Sequence, residues 1–253
     1  MRTIGVIPSR YGSTRFPGKS LHPICGKPLV RWVVEACRKA RTLDEVIVAT
    51  DDERIAAAVE GSGARAVMTA SDLPSGTDRV AVAARPGDDD IVVNIQGDEP
   101  LIDPNLVDAV ADALRKDAEG RFQMATAASP IRSADELSAP TVVKVVTAAD
   151  GGALYFSRWA IPFRRDGDPD PATGLWRRHV GIYGYRGAFL KRLVATPPCP
   201  LEKAESLEQL RALWLGGRIA VVETEETGIG VDRPEDVATV EAILAKAATP
   251  RRA

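Results

Sequence analysis

The chain is short of the side chains that usually mark a redox or zinc centre. Its 253 residues hold three cysteines, Cys25, Cys37 and Cys199, none in a C-x-x-C spacing, so neither a disulfide framework nor a zinc knuckle is expected. Histidine is limited to His22 and His179, which leaves oxygen ligands for any metal. No run approaches the roughly eighteen consecutive apolar residues of a membrane span, and no apolar leader precedes the first strand-like run, "TIGVIP". A soluble protein of the reducing cytoplasm is the expectation. One-signed charge is missing too: 33 Lys+Arg stand against 35 Asp+Glu. That balance, without long charged runs, argues against nucleic acid or a membrane surface as partner. A chain of this length suits one large domain, or a domain with an elaborated lobe, and buries a sizeable core without staples.

An anionic ligand would therefore be held by a local cluster, and one lies at the start. "VIPSRYGSTRFPGKSL" looks like a phosphate-binding P-loop. A Walker A loop, however, places four residues between its first glycine and Gly-Lys-Ser/Thr. Counting back from Gly18 reaches Ser13, with Gly12 one position too early. Pro17 also sits inside the loop and has no N–H to offer. Arg10, Arg15 and Lys19 with Ser13 and Thr14, directly after a strand, still form the elements of an anion cradle of another design.

Periodicity gives the architecture. "TIGVIP", "EVIVAT", "ARAVM" and "IVVNI" are buried-strand patterns. Helical patterns alternate with them in "KPLVRWVVEACRKA", near Asp52–Glu60, from about Asp78, and in "DPNLVDAVADAL", where Asp103 is a plausible N-cap and Pro104 the first turn. Such alternation predicts a mostly parallel sheet with helices on both faces. Ligands then bind beyond the carboxyl ends of the strands, where "PSRYGST", "TDDE" and "QGDEP" lie. From about Met124 strand-like runs follow one another ("MATAAS", "TVVKVV", "GALYFS", "HVGIYGY"), so a mixed sheet or lobe is expected. Residues 164–176 read as a polar, Pro/Gly-rich surface loop. "PLEKAESLEQLRALWL" reads as one helix ending at Gly216-Gly217, with Leu207, Leu210 and Trp214 on its buried face. "RIAVVE", the loop "TGIGVDRPED" and a last helix close the chain. Lys144, among valines, is expected to snorkel from a sheet edge.

Two acidic positions stand out. In "NIQGDEP", Gly97 allows close backbone approach and Asp98 is pushed out at a strand tip; a tight turn with a solvated acid is the plain alternative. In "GVDRPED", Asp232 and Glu235 have the spacing of a capping box, with Pro234 in the first turn. One carboxylate oxygen can cap a helix while the other meets a metal. A cradle for a triphosphate plus two carboxylates for Mg²⁺, which keeps several waters and takes oxygen ligands, is the minimum set for nucleotidyl transfer.

Taken together and in order, "IPSRYGSTRFPGKSL", "SGTDR", "VNIQGDEP", "VVKVV", "ALYFSRWAIP", "RHVGIYGYR", "PLEKAESLEQLRALW" and "GIGVDRPED" resemble the CMP-Kdo synthetases, the 3-deoxy-manno-octulosonate cytidylyltransferases, from Arg2 to about Leu244. The resemblance implies a Rossmann-like, GT-A-like nucleotidyltransferase fold with an added mixed-sheet sugar-binding lobe. It implies one domain, with a nucleotide half of about 1–123, a sugar-binding and dimerisation lobe of about 124–217, and a closing strand, metal loop and helix over 218–247. It implies the reaction of CTP with Kdo to CMP-Kdo and pyrophosphate, Mg²⁺ as cofactor, a homodimer and a place in lipopolysaccharide assembly. Residue by residue, Arg10, Ser13, Arg15 and Lys19 correspond to the binders of the CTP phosphates, with Arg10 and Lys19 also counted as catalytic. Ser75, Gly76 and Arg79 correspond to the segment beside the cytosine and Gln96 to the residue near the ribose. Asp98 and Asp232 match the catalytic metal pair, and Arg158, His179, Tyr183, Glu208 and Gln209 the pocket for the acid sugar. On residue type alone Arg158 reads as a surface arginine, His179 as a structural histidine and Glu208-Gln209 as a solvated helix face. Phe163 stands where the family pattern leads one to expect tryptophan, which bears on sugar choice and the subunit contact. A CMP-sialate synthetase is the nearest rival, and a non-catalytic nucleotide-binding regulator the rival of another class.

Overall fold

"TIGVIPS" forms the first strand, and every residue from Thr3 to Ile7 in it is buried. The structure, a computed structural model, describes residues 1–13, 15–225 and 228–248; Thr14 of the expected cradle lies outside them. In chain order it contains β1 (Thr3–Ser9), the short hairpin β2 (Pro23–Ile24) and β3 (Lys27–Pro28), α1 (Leu29–Cys37), β4 (Glu45–Thr50), α2 (Glu53–Ala58), β5 (Arg65–Met68), α3 (Gly76–Ala84), β6 (Ile91–Asn94) and α4 (Pro104–Arg115). There follow β7 (Met124–Pro130), α5 (Ala134–Ser138), β8 (Lys144–Thr147), β9 (Ala153–Ser157), β10 (Arg177–Arg186), α6 (Gly187–Val194), α7 (Pro200–Glu205), α8 (Gln209–Trp214), β11 (Ile219–Glu223) and α9 (Asp236–Ala248). The fold is mixed α/β with a largely parallel central sheet.

Two compact units divide the chain. One unit takes residues 2–85, 94–108 and those from 228 onward. There β1, β4 and β5 run parallel, Ile4 opposite Glu45 and Ile47 opposite Arg65. Apolar runs buried on both faces are what a helix-covered parallel sheet requires. α1 turns Leu29, Val30, Val33, Val34 and Cys37 inward, as its period predicts. Burial pushes the Cys37 thiol up to about 12, which makes it a packing group. Asp103 caps α4, its Oδ1 2.9 Å from the Asn105 N–H.

The other unit takes residues 86–93 and 109–227, together with Met1. β10 pairs antiparallel with β7 and β8, β8 antiparallel with β9, and β11 parallel with β7, the mixed pattern expected after Met124. Four features depart from the sequence reading. "PLEKAESLEQLRALWL" is two helices, because Ser206 takes a left-handed conformation (φ 52°) and ends α7; Leu207 and Leu210 are buried as expected, but Trp214, at the end of α8, is exposed. α6 has no counterpart in the sequence analysis. Trp176, at the end of the polar loop, is buried against Ile131 and Leu137, its indole N–H donating to Pro162 O at 3.1 Å. Lys144 does not snorkel. It is 0% exposed, and its three N–H donors meet the carbonyls of Ala139, Val142 and Arg158 at 2.9, 2.7 and 2.8 Å, while burial lowers its pKa.

Candidate active site

At the carboxyl end of β1 the chain makes a tight loop around one carbonyl. Tyr11 O accepts the N–H groups of Ser13 and Gly18, each at 2.9 Å. Gly18 has φ 71° and caps a 3-10 turn over Lys19–Leu21; a side chain there would meet the Tyr11 ring at 3.0 Å. Both constraints call for glycine, and the turn that follows carries Lys19 back under the loop. A cleft of about 350 Å³ opens beside it. Arg10, Ser13, Arg15 and Lys19 line it from the loop, Ser75, Gly76 and Arg79 from the start of α3, Gln96 and Asp98 from the turn after β6, and Asp232 from the segment ahead of α9. The eight residues expected around CTP thus share one cleft with the two expected metal ligands, all within the unit that holds β1, β4 and β5.

The turn bearing Asp98 is seated by close backbone contact. A Cβ on Gly97 would lie 2.7 Å from Pro8 O, a backbone atom that cannot swing aside. Gly97→Ala is expected to shift this turn at a cost of about 1–3 kcal/mol, weakening CTP binding together with turnover. A CTP titration of the variant checks this, and unchanged affinity and rate would contradict the contact. Asp232 reaches the same place because Val231 N–H donates to Asp98 O at 2.8 Å. Asp232 is not the helix cap that its spacing predicts. Its carboxylate is held by Lys19 and Arg15 instead, while Asp236, the first residue of α9, accepts the backbone N–H groups of Asp232 and Arg233 at 2.8 Å each and fixes the chain ahead of the helix.

Asp98 and Asp232 meet on one ammonium. Lys19 Nζ lies 2.5 Å from Asp98 Oδ2 and 3.6 Å from Asp232 Oδ1, and it donates to Val231 O at 3.2 Å. Lys19 is only 16% exposed and Asp98 27%, against 49% for Asp232. Arg15 Nη1 approaches Asp232 Oδ2 at 3.3 Å, an exposed pair worth little by itself. Two hard oxygen ligands converging on one cationic group are a donor set that could hold Mg²⁺. Among the described residues no cluster of three or more His, Cys, Asp or Glu offers a different centre.

The residues expected beside the cytosine have structural partners as well. Ser75 caps α3, accepting the Asp78 N–H at 3.2 Å and donating to Asp78 Oδ2 at 2.7 Å. Arg79, 4% exposed, donates to Thr69 Oγ1 and to Asp51 Oδ2, the latter at 3.3 Å. Asp51 belongs to "TDDE", the segment that follows β4.

The expected sugar residues all fall in the other unit. Arg158 is no loose surface arginine: it donates to the carbonyls of Glu205 (2.7 Å), Pro140 (3.0 Å) and Ser206 (3.3 Å). Tyr183 stacks at a tilt between the rings of His179 and Tyr185, with centroids 5.4 and 6.3 Å away. Glu208 precedes α8 and its carbonyl accepts from Arg211 N–H at 3.0 Å. Gln209 is 4% exposed, with no partner for Nε2 among the described residues, so it is not on a solvated face. His179 Nε2 lies 2.9 Å from Thr126 Oγ1, whose single proton goes to the Ile182 carbonyl at 2.8 Å; the imidazole therefore donates from Nε2.

Packing around the His179 ring, edge-on to Phe156 at 5.1 Å, pushes its pKa down to about 3 from an ordinary 6.5. Between those values the unfolded chain binds a proton that the folded chain refuses. Stability is full above pH 6.5 and falls as pH drops toward 3. His179→Gln is expected to flatten the fall in urea midpoint between pH 7.5 and 5. An unchanged slope would show that the ring titrates alike in both states.

Residues 4–219 match the family described as Cytidylyltransferase. Curated relatives named 3-deoxy-manno-octulosonate cytidylyltransferase include that of Anaeromyxobacter sp. (strain K), 51% identical over 251 residues and covering 98% of this chain and 100% of the relative. That of Bdellovibrio bacteriovorus is 49% identical over 245 residues, covering 96% and 98%. Among solved structures, CMP:2-keto-3-deoxy-manno-octonic acid synthetase complexed with CTP has a TM-score of 0.89 at 42% identity, covering 98% of this chain and 100% of that one. 4-Diphosphocytidyl-2C-methyl-D-erythritol synthase, with a TM-score of 0.61 at 14% identity and coverage of 96% and 98%, shares the fold alone. With half its residues shared with these relatives over nearly the whole length, the chain belongs to the cytidylyltransferase family, among the 3-deoxy-manno-octulosonate cytidylyltransferases.

Proposed function

We propose that this chain couples CTP to the acid sugar Kdo, releasing pyrophosphate and CMP-Kdo, with Mg²⁺ held by Asp98 and Asp232. The observation that carries the reading is the pair of carboxylates, remote in sequence, brought onto Lys19 within the cleft that Arg10, Ser13 and Arg15 also line. Arg10, Arg15 and Lys19 neutralise the triphosphate, and the Ser13 hydroxyl adds a donor. Gln96 and the Ser75–Arg79 turn face the nucleoside. The acceptor hydroxyl attacks the α-phosphorus in line: its oxygen forms the new P–O bond, the bond to the β-phosphate oxygen breaks, and the hydroxyl proton leaves to solvent. Positioning and charge supply most of the acceleration in such a transfer, so no Cys or Ser nucleophile is invoked. When bound, Mg²⁺ supplies charge neutralisation at the α-phosphate and lowers the pKa of the attacking hydroxyl.

For the sugar we assign Arg158, His179, Tyr183, Glu208 and Gln209. A guanidinium has five N–H donors; the three carbonyl bonds fix that of Arg158 and leave others for a carboxylate. The buried Nε2 of Gln209, unpartnered among the described residues, suits a hydroxyl acceptor. We infer a homodimer, favoured by the exposed apolar side chains of Leu154, Trp159, Phe163 and Leu175. Its place is the cytoplasm, where CTP is made, feeding lipopolysaccharide assembly. Among the described residues no helix is long and apolar enough to cross a membrane.

The test is pyrophosphate release from CTP and Mg²⁺ with a panel of acid sugars: Kdo, an amino-substituted Kdo and N-acetylneuraminate. Turnover with Kdo is expected. Preference for N-acetylneuraminate would move the chain to the sialate enzymes, and CTP binding without turnover on any sugar would make it a nucleotide sensor.

A further inference from the structure

The "TDDE" segment splits its two acids between different tasks. Asp52 is a helix cap: its Oδ1 accepts the Arg54 N–H at 2.9 Å, and its carboxylate pairs with the Arg54 guanidinium. Asp51 points to the cleft wall instead. Its Oδ1 lies 3.2 Å from the N–H of Tyr11, at the root of the loop that carries Arg10, Ser13 and Arg15. Its Oδ2 lies 3.3 Å from Nη2 of Arg79. The side chain is 13% exposed, so neither contact competes strongly with water.

We propose that Asp51 is a positioning residue for CTP, one carboxylate that fixes the phosphate loop with one oxygen and the base-side arginine with the other. The proposal rests on reading the cleft as the CTP site. Tyr11 is the pivot of its loop, since its carbonyl holds Ser13 and Gly18 while its N–H goes to Asp51. The Arg54 guanidinium stacks 3.8 Å over the Tyr11 ring, so the same residue is anchored on its side chain too. Arg79 is a nearly buried cation, and such a group needs a counter-charge; Asp51 is a carboxylate within salt-bridge range of it. The loop and the start of α3 are far apart in sequence, and Asp51 makes their spacing a property of one side chain. It touches no reacting atom, so its removal acts on nucleotide affinity before it acts on chemistry.

Asp51→Asn separates the two arms. The amide keeps an acceptor for Tyr11 N–H but turns a donor toward Arg79, setting donor against donor. The expected result is a rise of about ten- to a hundredfold in the CTP dissociation constant, measured by calorimetry without sugar. The KM for Kdo and the kcat at saturating CTP should stay within about threefold, a split that general destabilisation would not produce. Thr69→Val, which removes the other acceptor of Arg79, should weaken CTP in the same direction, and it keeps the test available if Asp51→Asn melts below the assay temperature. Lys19→Met, run in parallel, reports on the cleft itself. If Lys19→Met weakens CTP while both Asp51→Asn and Thr69→Val bind it as the unaltered enzyme does, the positioning role is refuted. If Lys19→Met also leaves CTP binding untouched, the cleft is not the CTP site and the underlying reading falls with it.

Discussion

Asp98→Asn is expected to lower kcat on the order of 10²–10³-fold while changing CTP affinity by only a few-fold. The substitution is isosteric, so the backbone bond from Val231 N–H and the seat of Gly97 against Pro8 remain. What goes is the negative charge that, with Asp232, forms the paired carboxylate. The triphosphate is still met by Arg10, Arg15 and Lys19, so binding energy in the ground state is mostly preserved. Because Asp98 is also the nearer partner of Lys19, at 2.5 Å, its loss frees that ammonium and should, if anything, tighten CTP. Single-turnover kinetics at saturating CTP separates the two effects. Near-normal turnover at saturating Mg²⁺ would remove Asp98 from the chemistry.

The largest stability effect is expected away from the cleft. Arg211 and Glu202 form a bidentate pair (2.8 and 2.6 Å) between α8 and α7, and both are nearly buried. Arg211 also holds the carbonyls of Leu193, in the last turn of α6, and of Thr196, just past its end. Glu202 in turn closes a capping box with Cys199 at the start of α7. Arg211→Met strands a buried carboxylate and is expected to cost about 3–5 kcal/mol, a large share of the ~5–15 kcal/mol typical of a domain. Removing both charges with Glu202→Leu and Arg211→Met should restore most of it. Urea titration reads both. A single-variant loss below about 1 kcal/mol would mean that water reaches the pair.

The nucleotide half was legible because its signals are local. Buried apolar runs and 3.6-residue periods fix β1, β4 and α1 without reference to the rest of the chain. The loop after β1 carries its cations within ten residues, so type and spacing are read together. The later half was less legible because its determinants are relations between distant residues. A single left-handed Ser206 divides a pattern whose hydrophobic period runs on unbroken. Of the three carbonyls around Lys144, those of Ala139 and Val142 are near it in sequence, and only that of Arg158, on the far side of β9, is brought to it by folding. α6 had a readable signal, Phe189, Leu190 and Leu193 ahead of two prolines, yet it was masked by the strand that runs straight into it. Asp232 shows the same limit within the site: its spacing fits a cap, and only its contacts with Lys19 and Arg15 show that the carboxylate faces the cleft.

Electron paramagnetic resonance of Mn²⁺, substituted for Mg²⁺, titrated into the CTP-bound protein and its Asp98→Asn and Asp232→Asn variants, tests the paired-carboxylate claim most directly. The account predicts a bound signal in the unaltered protein that each single substitution weakens by roughly tenfold or more in affinity. Equal Mn²⁺ binding in all three proteins would contradict it.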